Sequence, residues 1–550
     1  MSNTDKPWKG ISRRNFVAGS AISVVGVAAA GMIPGCSSKT NQPKTPATEG
    51  KASWETPPAA IPDTQIKETV NTEIVVVGGG VAGFVAALSA VEAGAKVIVL
   101  EKHTTSRAGG GFNGAIGSKM QKELGINIDK EKIMSLFMTR SEAIPDEALV
   151  RLWADHSGEV LDWLMDMTNA VGIKTAILQW PTPPGWDRDK ERYGIYPTGH
   201  SIGIDRGDTQ LPLLNTLKDN LLKKGAELRF STPAVQLIRE GKGRVTGVIA
   251  KNSKGEYVKF NAKKAVIMCS GDFGNDLEMM AKYCPPEMVE LSRNANIYTS
   301  YMKEQPKEKL NLGDGHKMAM WSGAQMESGP VATMGWAVSP LEICLASFLQ
   351  VNGAGERFQN EDTTFMYYPQ IILKQPGKVA WQIFDAKYEE DYKKFKFFDL
   401  VGTAPIDDKI RARVESMCVK ANTIEELAQK INVPVEAFKA SVARRNELTK
   451  MGQDPDFGLS PDRLSTIEKG PFYAGKFQPS LAVTLGGIRV NKNLQPWDAE
   501  GKVIPGLYMA GNVVGGRYGL YYAAVTPGIS NGFCFTHGYF AGKHAAAEQV

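Results

Sequence analysis

Three glycines spaced as GxGxxG, namely Gly78, Gly80 and Gly83, form a pattern suited to phosphate chemistry. The first glycine permits a tight turn, the second lets the backbone approach a pyrophosphate, and the third lets a helix pack closely on a strand. A helix that begins here presents free N–H groups and the positive end of its dipole to phosphate oxygens. The spacing therefore predicts a bound dinucleotide. The alternative is a unit whose glycines serve packing alone.

Two strands and a helix are predicted to position these glycines. The run Ile74–Val77 predicts a buried parallel strand, Phe84–Ala93 has the composition of a helix, and Lys96–Leu100 predicts a second strand. Glu101 then follows, where a carboxylate can accept hydrogen bonds from a ribose. The predicted dinucleotide contacts in this unit are Gly78, Gly80, Val81, Ala82, Gly83, Glu101 and Lys102.

A second glycine-rich segment, Gly109–Gly111, lies in the sequence SRAGGGFNG shortly after this unit. A glycine triplet indicates backbone packed against a flat ligand or a phosphate. The alternative is a surface loop. Further glycine turns occur at Ser270-Gly271, Gly313-Asp314-Gly315 and Gly511-Asn512.

Composition limits the classes of function. The chain has 550 residues, enough for two or more domains, with 43% hydrophobic and 22% charged residues. Its net charge of +5 is small and no basic stripe is present, so we expect no nucleic-acid partner. The six cysteines are scattered and none forms CxxC, which argues against an iron–sulfur cluster, a zinc ribbon or covalent haem, and no metal site is predicted.

The N-terminus resembles a targeting segment. Ser12–Phe16 reads SRRNF, similar to a twin-arginine export signal, and the weakly apolar stretch Val17–Ile33 follows. We expect residues 1–36 to direct export to the cell envelope, and the alternative is an uncleaved anchor. Cys36 partly resembles a lipoprotein processing site and is a possible lipid anchor. Residues 37–70 have the composition of a disordered linker.

The rest of the chain is expected to form a split α/β domain with an insertion. Short strands are predicted at Leu228–Phe230, Val235–Ile238, Val245–Ala250, Tyr257–Phe260 and Ala265–Met268. Residues 132–170 are predicted to be helical, strand character resumes at 487–490, and a helix is predicted from Thr526 to the C-terminus. The pattern changes between 329 and 477, which favours an inserted α+β domain. The predicted domain parts are therefore 71–328, 329–477 and 478–550.

Several motifs occur together in the order of one family. They are the GxGxxG unit, Gly109 to Asn113, Thr232-Pro233, Ser270-Gly271, Gly313-Asp314-Gly315, Gly353 to Glu361 and Pro505 to Asn512. From about Thr72 onwards the chain resembles the FAD-dependent fumarate reductase, succinate dehydrogenase and 3-ketosteroid Δ1-dehydrogenase flavoproteins. The resemblance implies an α/β fold in which a Rossmann-like FAD-binding domain is split around an inserted α+β capping domain. It also implies hydride transfer between flavin N5 and a carbon–carbon bond activated by a carbonyl.

The resemblance extends the set of expected FAD contacts. Beyond the first unit, these are Gly109, Gly110, Gly111, Asn113, Ala234, Val235, Ser270, Gly271, Asp314, Gly511, Asn512, Pro527, Gly528 and Ile529. His103 does not fall at the distance from the glycine loop that covalent flavin attachment in this family requires. We therefore expect FAD to be bound non-covalently.

Departures from the fumarate reductase pattern concern the substrate. Where those enzymes carry a histidine before a Gly-Gly pair, this chain has Leu481–Leu485, and where they carry a final substrate arginine it has Tyr521-Tyr522. Phe365 stands where the reductases have an arginine of the proton path. Because a carboxylate needs charge-assisted donors, a dicarboxylate substrate is not expected.

Tyrosines are the candidates for the remaining chemistry. One group must polarise the carbonyl and one must deliver a proton. By analogy with the ketosteroid branch, Tyr522 and the N–H of Gly528 are the predicted carbonyl donors, and Tyr367 is the predicted proton source, with Tyr368 or Arg517 as alternatives. Any one tyrosine can equally be a packed core aromatic. Of the other arginines, Arg357 is expected to be a structural ion pair or a cap contact, and Arg411 and Arg413 a solvated helix face.

Three functions remain open at this point. The first is an exported reductase of an unsaturated acid or enone, supplied with electrons by a separate redox protein such as a membrane cytochrome, since no second nucleotide fingerprint is seen in the sequence. The second is a dehydrogenase that desaturates a ketone such as a steroid, and the third is a flavin electron carrier without catalysis. The glycine motifs kept together with GERFQNE argue against the carrier.

Overall fold

The described part of the chain begins after the targeting segment. The computed structural model describes residues 51–107, 109–177, 196–203, 210–294, 310–338, 347–363, 365–394, 406, 408–523 and 525–549. The predicted export signal, the possible anchor at Cys36 and the first part of the predicted linker lie outside these residues. None of the helices within these ranges has the length and apolar character needed to cross a bilayer.

Sixteen strands are formed by the described residues. They are β1 (Ile66–Val77), β2 (Val97–Leu100), β3 (Asn113–Gly114), β4 (Thr175–Ile177), β5 (Gly199–Ile202), β6 (Glu227–Arg229), β7 (Ala234–Arg239), β8 (Val245–Lys251), β9 (Tyr257–Met268), β10 (Thr333–Val338), β11 (Leu349–Asn352), β12 (Ala380–Asp385), β13 (Val419–Ala421), β14 (Phe472–Lys476), β15 (Gln478–Thr484) and β16 (Leu507–Met509).

The α-helices of the described residues lie between and after these strands. They are α1 (Val81–Glu92), α2 (Lys119–Glu123), α3 (Lys130–Arg140), α4 (Glu147–Asn169), α5 (Leu211–Lys223), α6 (Leu277–Tyr283), α7 (Pro286–Asn294), α8 (Asp314–Trp321), α9 (Tyr368–Leu373), α10 (Tyr388–Lys394), α11 (Asp408–Met417), α12 (Ile424–Lys430), α13 (Val435–Met451) and α14 (Ile529–Ala547).

The largest sheet has the strand order β6-β2-β1-β9-β8-β7, with β16 pairing on β9. The pairs formed by β6, β2, β1, β9 and β16 are parallel, and the β7-β8-β9 meander is antiparallel. Its central strands end in apolar residues that are fully buried, because helices cover the sheet. The predicted α/β class with a mostly parallel sheet is therefore confirmed.

Strand β9 differs from the prediction because it is continuous. Its first half pairs with residues 66–72 of β1 and its second half with residues 74–77, with a register shift at Thr72/Ile74. The two short strands predicted here are thus one strand. The same pairing extends β1 back to Ile66, so the predicted linker, which we placed up to residue 70, ends too late. Trp54, farther upstream, is also buried.

Helices α1 and α14 pack together through glycines. A Cβ on Gly538 would lie 2.6 Å from the carbonyl oxygen of Ala82, and one on Gly542 would lie 2.2 Å from that of Ala86. Only glycine fits at such distances, so the two helix backbones lie in direct contact. This contact holds the start of α14 at a fixed position relative to the GxGxxG turn.

A second, antiparallel sheet, β11-β12-β14-β13, lies within the segment 329–477. The residues of its hydrophobic core all come from this segment and include Leu349, Ile383 and Phe438. Arg357 is buried there and pairs with Glu361 and Asp454 at 2.7 Å each. This confirms the structural ion pair expected for Arg357.

Two local differences have simple causes. The helix predicted over 132–170 is two helices, α3 and α4, because Glu142 and Ala143 between them adopt positive φ. Residues 487–490 form isolated bridges rather than a strand, because Ile488 and Val490 pair with different segments.

Candidate functional site

The GxGxxG turn lies at the carboxyl ends of β1 and β9. Gly78 has a φ of +113°, and a Cβ there would lie 2.2 Å from the carbonyl oxygen of Cys269. A Cβ on Gly83 would lie 1.9 Å from the carbonyl oxygen of Gly78. For Gly80 the nearest atom is the carbonyl oxygen of Arg107 at 3.9 Å. The first and third glycines are therefore required by the protein itself, whereas the second faces open space where a ligand can approach.

The start of α1 faces the same space. Gly80 is its N-cap and offers no side chain to the first N–H groups of the helix, which include those of Val81 and Ala82. Unsatisfied N–H groups and the helix dipole together favour an anion. This geometry suits a pyrophosphate.

The carboxylate of Glu101 is fixed beside this turn. It accepts hydrogen bonds from the backbone N–H of Gly79 at 2.7 Å and of His103 at 2.9 Å. Each carboxylate oxygen keeps a second lone pair for a ribose hydroxyl. Glu101 is thus held by the protein, in a place where the predicted ribose contact remains feasible.

Other predicted contacts surround Glu101. The N–H of Thr232 donates to the carbonyl oxygen of Glu101 at 2.8 Å, which brings the start of β7, Ala234 and Val235, close to it. Lys102 pairs with Asp314 at 2.7 Å. The resulting end of the site is polar, as a ribose requires.

Three further turns meet the GxGxxG unit. A Cβ on Gly315 would lie 2.0 Å from Oγ of Ser270, so the turn Ser270-Gly271 packs directly on the start of α8. A Cβ on Gly511 would lie 2.9 Å from that of Ala82. Asn512, the next residue, accepts a hydrogen bond from Nη2 of Arg517 at 3.2 Å. We call Gly78–Gly83, Cys269–Gly271 and Gly511–Asn512 the glycine cradle.

The second glycine segment lies against the start of α14. Gly110, between Gly109 and Gly111, has a φ of +79°, and a Cβ there would lie 2.7 Å from Nδ2 of Asn531. The same amide donates to the carbonyl oxygen of Phe112 at 2.8 Å. The segment is therefore anchored rather than a free surface loop, and Asn531 is a contact that the sequence reading missed.

Gly528 joins this segment to the N-terminus of α14. It adopts the left-handed conformation at φ +78°, and its carbonyl accepts the N–H of Gly114 at 2.8 Å. The neighbouring Pro527 accepts a hydrogen bond from Thr198, and Ile529 is fully buried. Asn113 is also buried. Its side-chain nitrogen donates to the carbonyl oxygen of His200 and its side-chain oxygen accepts from Gln210, so the side chain bonds to the protein and only the backbone remains for a ligand.

The predicted cofactor residues thus form a connected band from Glu101 to Gly528. Its walls are backbone turns in which glycine is required, its centre has a helix N-terminus without a capping side chain, and one end carries a carboxylate. These features fit FAD, whose pyrophosphate, ribose and flat ring each need one of them.

Tyr522 lies at the other end of this band. Its side chain is buried among apolar and aromatic groups and its ring centroid is 5.6 Å from that of Tyr518. Burial raises the pKa of Tyr522, the backbone N–H of Ser530 in the first turn of α14 partly offsets this rise, and the nearby Tyr367 adds to it. The structure therefore brings Tyr522, Tyr367 and the start of α14 together. We call Tyr522, Tyr367 and Gly528 the reaction end.

The alternative proton sources, Tyr368 and Arg517, form hydrogen bonds to protein groups. The hydroxyl of Tyr368 donates to the carbonyl oxygen of Glu361 at 3.2 Å and accepts from Gln350 at 2.7 Å. Arg517 is fully buried, and its Nε donates to the carbonyl oxygen of Val514 at 2.9 Å. Tyr368 is held by protein groups, whereas Nη1 of Arg517 is buried and forms no hydrogen bond to the described residues, so Arg517 and Tyr367 both remain candidates for the proton source.

The positions that depart from the reductase pattern are apolar or exposed. Leu481, Val483 and Leu485 are buried, and Tyr521 is 38% exposed. The side chain of Phe365 lies outside the described residues. Arg411 is exposed and pairs with Glu389 on the surface, as expected for a solvated helix face. No charged clamp for two carboxylates is formed by Leu481–Leu485 or Tyr521-Tyr522.

Two carboxylates, one half-buried and one buried, went unnoticed in the sequence. Glu327 accepts the N–H of Gly487 at 2.7 Å and of Gly516 at 2.8 Å, and thereby ties two glycine turns together. Asp272, directly after the Ser270-Gly271 turn, is buried. The one sequence feature that could have indicated Asp272 was its place in a glycine turn after a strand. No sequence feature indicated Glu327. Within the described ranges no group of His, Cys, Asp or Glu residues could hold a metal ion.

Comparison with known proteins gives one family and several relatives. The FAD binding domain family matches residues 73–526. A fumarate reductase (cytochrome) from Shewanella frigidimarina is 30% identical over 86% of this chain and 77% of its own length. A vinyl phenol reductase from Lactiplantibacillus plantarum is 29% identical over 86% of this chain and 96% of its own length.

The fold is also found in a solved structure. A 3-ketosteroid-Δ4-(5α)-dehydrogenase from Rhodococcus jostii RHA1, in complex with 4-androstene-3,17-dione, superposes with a TM-score of 0.70 at 24% identity. The alignment covers 88% of this chain and 98% of that one. At this sequence identity the similarity supports only the assignment of the fold.

Proposed function

The chain belongs to the FAD binding domain family and is an FAD-dependent oxidoreductase that acts on carbon–carbon bonds, and from this we propose that it reduces a double bond conjugated to a carbonyl. The observation that carries the proposal is the reaction end, where a buried tyrosine hydroxyl meets the N-terminus of α14 beside an apolar wall. The relatives whose names describe reduction of an alkene support the same direction of reaction.

When bound, FAD supplies a hydride from its N5 to the β carbon of the substrate. The chain's own groups have two tasks. The hydroxyl of Tyr522, which lies near the first turn of α14, and the N–H of Gly528 at the start of that helix are the two groups that would donate to a carbonyl oxygen and stabilise the charge that develops there. Tyr367 lies near enough to Tyr522 to affect its pKa and is the group that delivers a proton to the α carbon.

The high pKa of Tyr522 suits this role. Burial keeps the phenol protonated throughout the physiological range, so it acts as a donor and never as a competing anion. The buried aromatic neighbours Tyr518 and Phe533 exclude water and strengthen the hydrogen bond to the substrate.

The wall of the reaction end favours an apolar substrate. Val483, Leu485 and Tyr518 belong to the same buried cluster as Tyr522. A second carboxylate placed there would lose its hydration without gaining a charged donor from these residues, which costs several kcal/mol. We therefore propose an enone or an aryl-substituted unsaturated acid rather than a dicarboxylate.

The remaining proposals concern the cap, the attachment of FAD, export and the supply of electrons. We propose that residues 329–477 form a cap over the flavin ring and that FAD is bound non-covalently. We also propose that a twin-arginine signal exports the protein to the cell envelope, where Cys36 is a possible lipid anchor. A separate redox protein, such as a membrane cytochrome, would then deliver the electrons, in keeping with the single dinucleotide fingerprint of the chain.

The test is anaerobic reoxidation of the dye-reduced holoprotein, followed by flavin absorbance. The panel contains an enone steroid, an aryl-acrylate, urocanate and fumarate. Rapid reoxidation by an apolar conjugated alkene is the expected result. Reoxidation by none of them, with bleaching of the oxidised flavin by a saturated ketone, would overturn the reductase direction in favour of a dehydrogenase. The donors of the reaction end are equally suited to that reverse reaction.

A further inference from the structure

Asp272 is a buried carboxyl that the proposed reaction does not use. It follows β9 in the turn after Ser270-Gly271 and is 4% exposed. Its Oδ1 accepts the N–H of Gly274 at 2.7 Å, and the N–H and hydroxyl of Thr484 at 3.3 and 3.4 Å. Its Oδ2 forms no hydrogen bond to another described residue. One oxygen is therefore fixed and the other is free to carry a proton.

The position of Asp272 relates it to the cofactor. Cys269 and Ser270, just before it, form part of the glycine cradle. Thr484, its partner, ends β15 and leads to Gly487, whose Cβ would lie 2.2 Å from the carbonyl oxygen of Val513, next to Asn512 of the cradle. Because ligands of open α/β sheets bind beyond the carboxyl ends of the strands, Asp272 lies in the wall of the cofactor site.

The titratable groups near Asp272 on the α6 side are neutral. Burial raises the thiol pKa of Cys284, which follows α6, and Asp272 lies close enough to raise that pKa further. Burial also raises the pKa of Tyr283 and that of Cys269, on the β9 side. None of these groups carries a charge near neutral pH.

The titratable groups on the α8 side are either neutral or held in ion pairs. His316 packs edge-on against Phe273 at 5.2 Å, and burial lowers its pKa to about 4, so it is neutral. Lys317 is paired with Asp276 at 2.6 Å. The ion pair between Lys102 and Asp314 removes the next charge on this helix. No free cation from these elements offsets the charge of Asp272.

We propose that the Asp272 carboxyl is a redox-linked proton site, which binds a proton when the FAD of the holoprotein is reduced and releases it on reoxidation. An external reductant supplies two electrons to the flavin, which takes one proton and gains a negative charge. That charge disfavours a second anion nearby. A solvent proton therefore forms an O–H bond on Oδ2 of Asp272, and the charge added to the site by reduction is cancelled.

The pH range follows from burial. Burial raises the pKa of Asp272 to about 6, so the group is ionised in the oxidised protein above that pH. Reduction raises the pKa further. Between the two values one extra proton is bound per reduction, and below both the carboxyl is protonated in either state. The extra proton thus appears above pH 6 and vanishes at lower pH.

The first test is a spectroelectrochemical titration of the holoprotein with dithionite over a series of pH values. For the wild type we expect the midpoint potential to depend on pH as two protons per two electrons just above pH 6. Asp272→Asn should reduce this to one proton. The matched control is Asp162→Asn, because burial also raises the pKa of Asp162, but it lies on α4 and accepts the N–H of Lys119. An unchanged pH dependence in Asp272→Asn with FAD bound would overturn the proposal.

A second measurement needs no variant that might lose its fold. The reduced-minus-oxidised infrared spectrum of the wild type should gain the C=O band of a protonated carboxyl, which shifts when aspartate is labelled with ¹³C. Asp272→Glu keeps a carboxyl and should move the band. Absence of the band in the wild type contradicts the proposal. Neither experiment contains a substrate, so both outcomes are independent of the proposed alkene reduction.

Discussion

The glycine cradle and the reaction end are two regions of the site that use different parts of the polypeptide. The cradle is formed by backbone, since a Cβ on Gly78 or Gly83 would lie 2.2 or 1.9 Å from a carbonyl oxygen and neither position admits a side chain. At the reaction end the work is done by the side chains of Tyr522 and Tyr367, and backbone contributes only through Gly528 and the first turn of α14. The cradle therefore defines a cofactor common to many enzymes, whereas the reaction end defines one reaction.

The largest expected effect is that of filling the cradle. Gly83→Ala places a methyl group 1.9 Å from the carbonyl oxygen of Gly78. Because the carbonyl oxygen belongs to the backbone and cannot rotate away, the turn must move, and we expect a loss of about 3 kcal/mol in the free energy of unfolding together with loss of bound FAD. Chemical denaturation and flavin absorbance of the purified protein measure both. A variant as stable as the wild type, with FAD bound, would show that this packing is not required.

At the reaction end we expect a change in rate without loss of cofactor. Tyr522→Phe removes the buried hydroxyl but keeps the ring in its cluster. Flavin reoxidation by the best substrate should slow by about 100-fold, the usual effect of removing one donor from a developing oxyanion, while the flavin spectrum stays unchanged. Rapid-mixing absorbance gives the rate.

Tyr521→Phe is the matched control for that prediction. Tyr521 is adjacent in sequence, but its side chain is 38% exposed. We expect its rate to equal that of the wild type. Equal losses in the two variants would show that the effect is not specific to the Tyr522 hydroxyl and would contradict its role as a donor to the substrate.

A smaller effect distinguishes the roles of two glycines within the cradle. Gly80→Ala meets no protein atom closer than 3.9 Å, so the apoprotein should unfold at the same denaturant concentration as the wild type. Its methyl group faces the space assigned to the pyrophosphate, and we expect FAD to bind about tenfold more weakly. Titration of the apoprotein with FAD, followed by fluorescence quenching, checks this. Unchanged affinity for FAD would show that the pyrophosphate does not bind next to Gly80.

The same contrast explains what the sequence could predict. The GxGxxG part of the cradle is local, because one strand, one turn and one helix contain Gly78 to Gly83, and a spacing rule is enough to identify it. The strands of the parallel sheet were visible as β-branched runs for a similar reason. Helix and strand ends were harder to predict, as the break before α4 and the continuity of β9 show, because tertiary pairing determines where such an element ends.

The reaction end is non-local, and sequence could reach only part of it. Tyr522 was identified through a family resemblance, whereas Glu327 and Asp272 acquire their environments only when Gly487, Gly516 and Thr484 arrive from more than 150 residues away. No spacing rule links such positions. The apolar wall that disfavours a dicarboxylate is likewise the sum of side chains from β15, α4 and α14.

The most direct test of the central claim compares two substrates on one protein. The holoprotein is reduced anaerobically and mixed with an apolar conjugated alkene or with fumarate, and the return of the flavin absorbance is timed. If the wall of the reaction end sets the substrate, the apolar alkene reoxidises the flavin at least about 100-fold faster than fumarate, as expected when a second carboxylate must be desolvated unpaired. Faster reoxidation by fumarate would contradict the account.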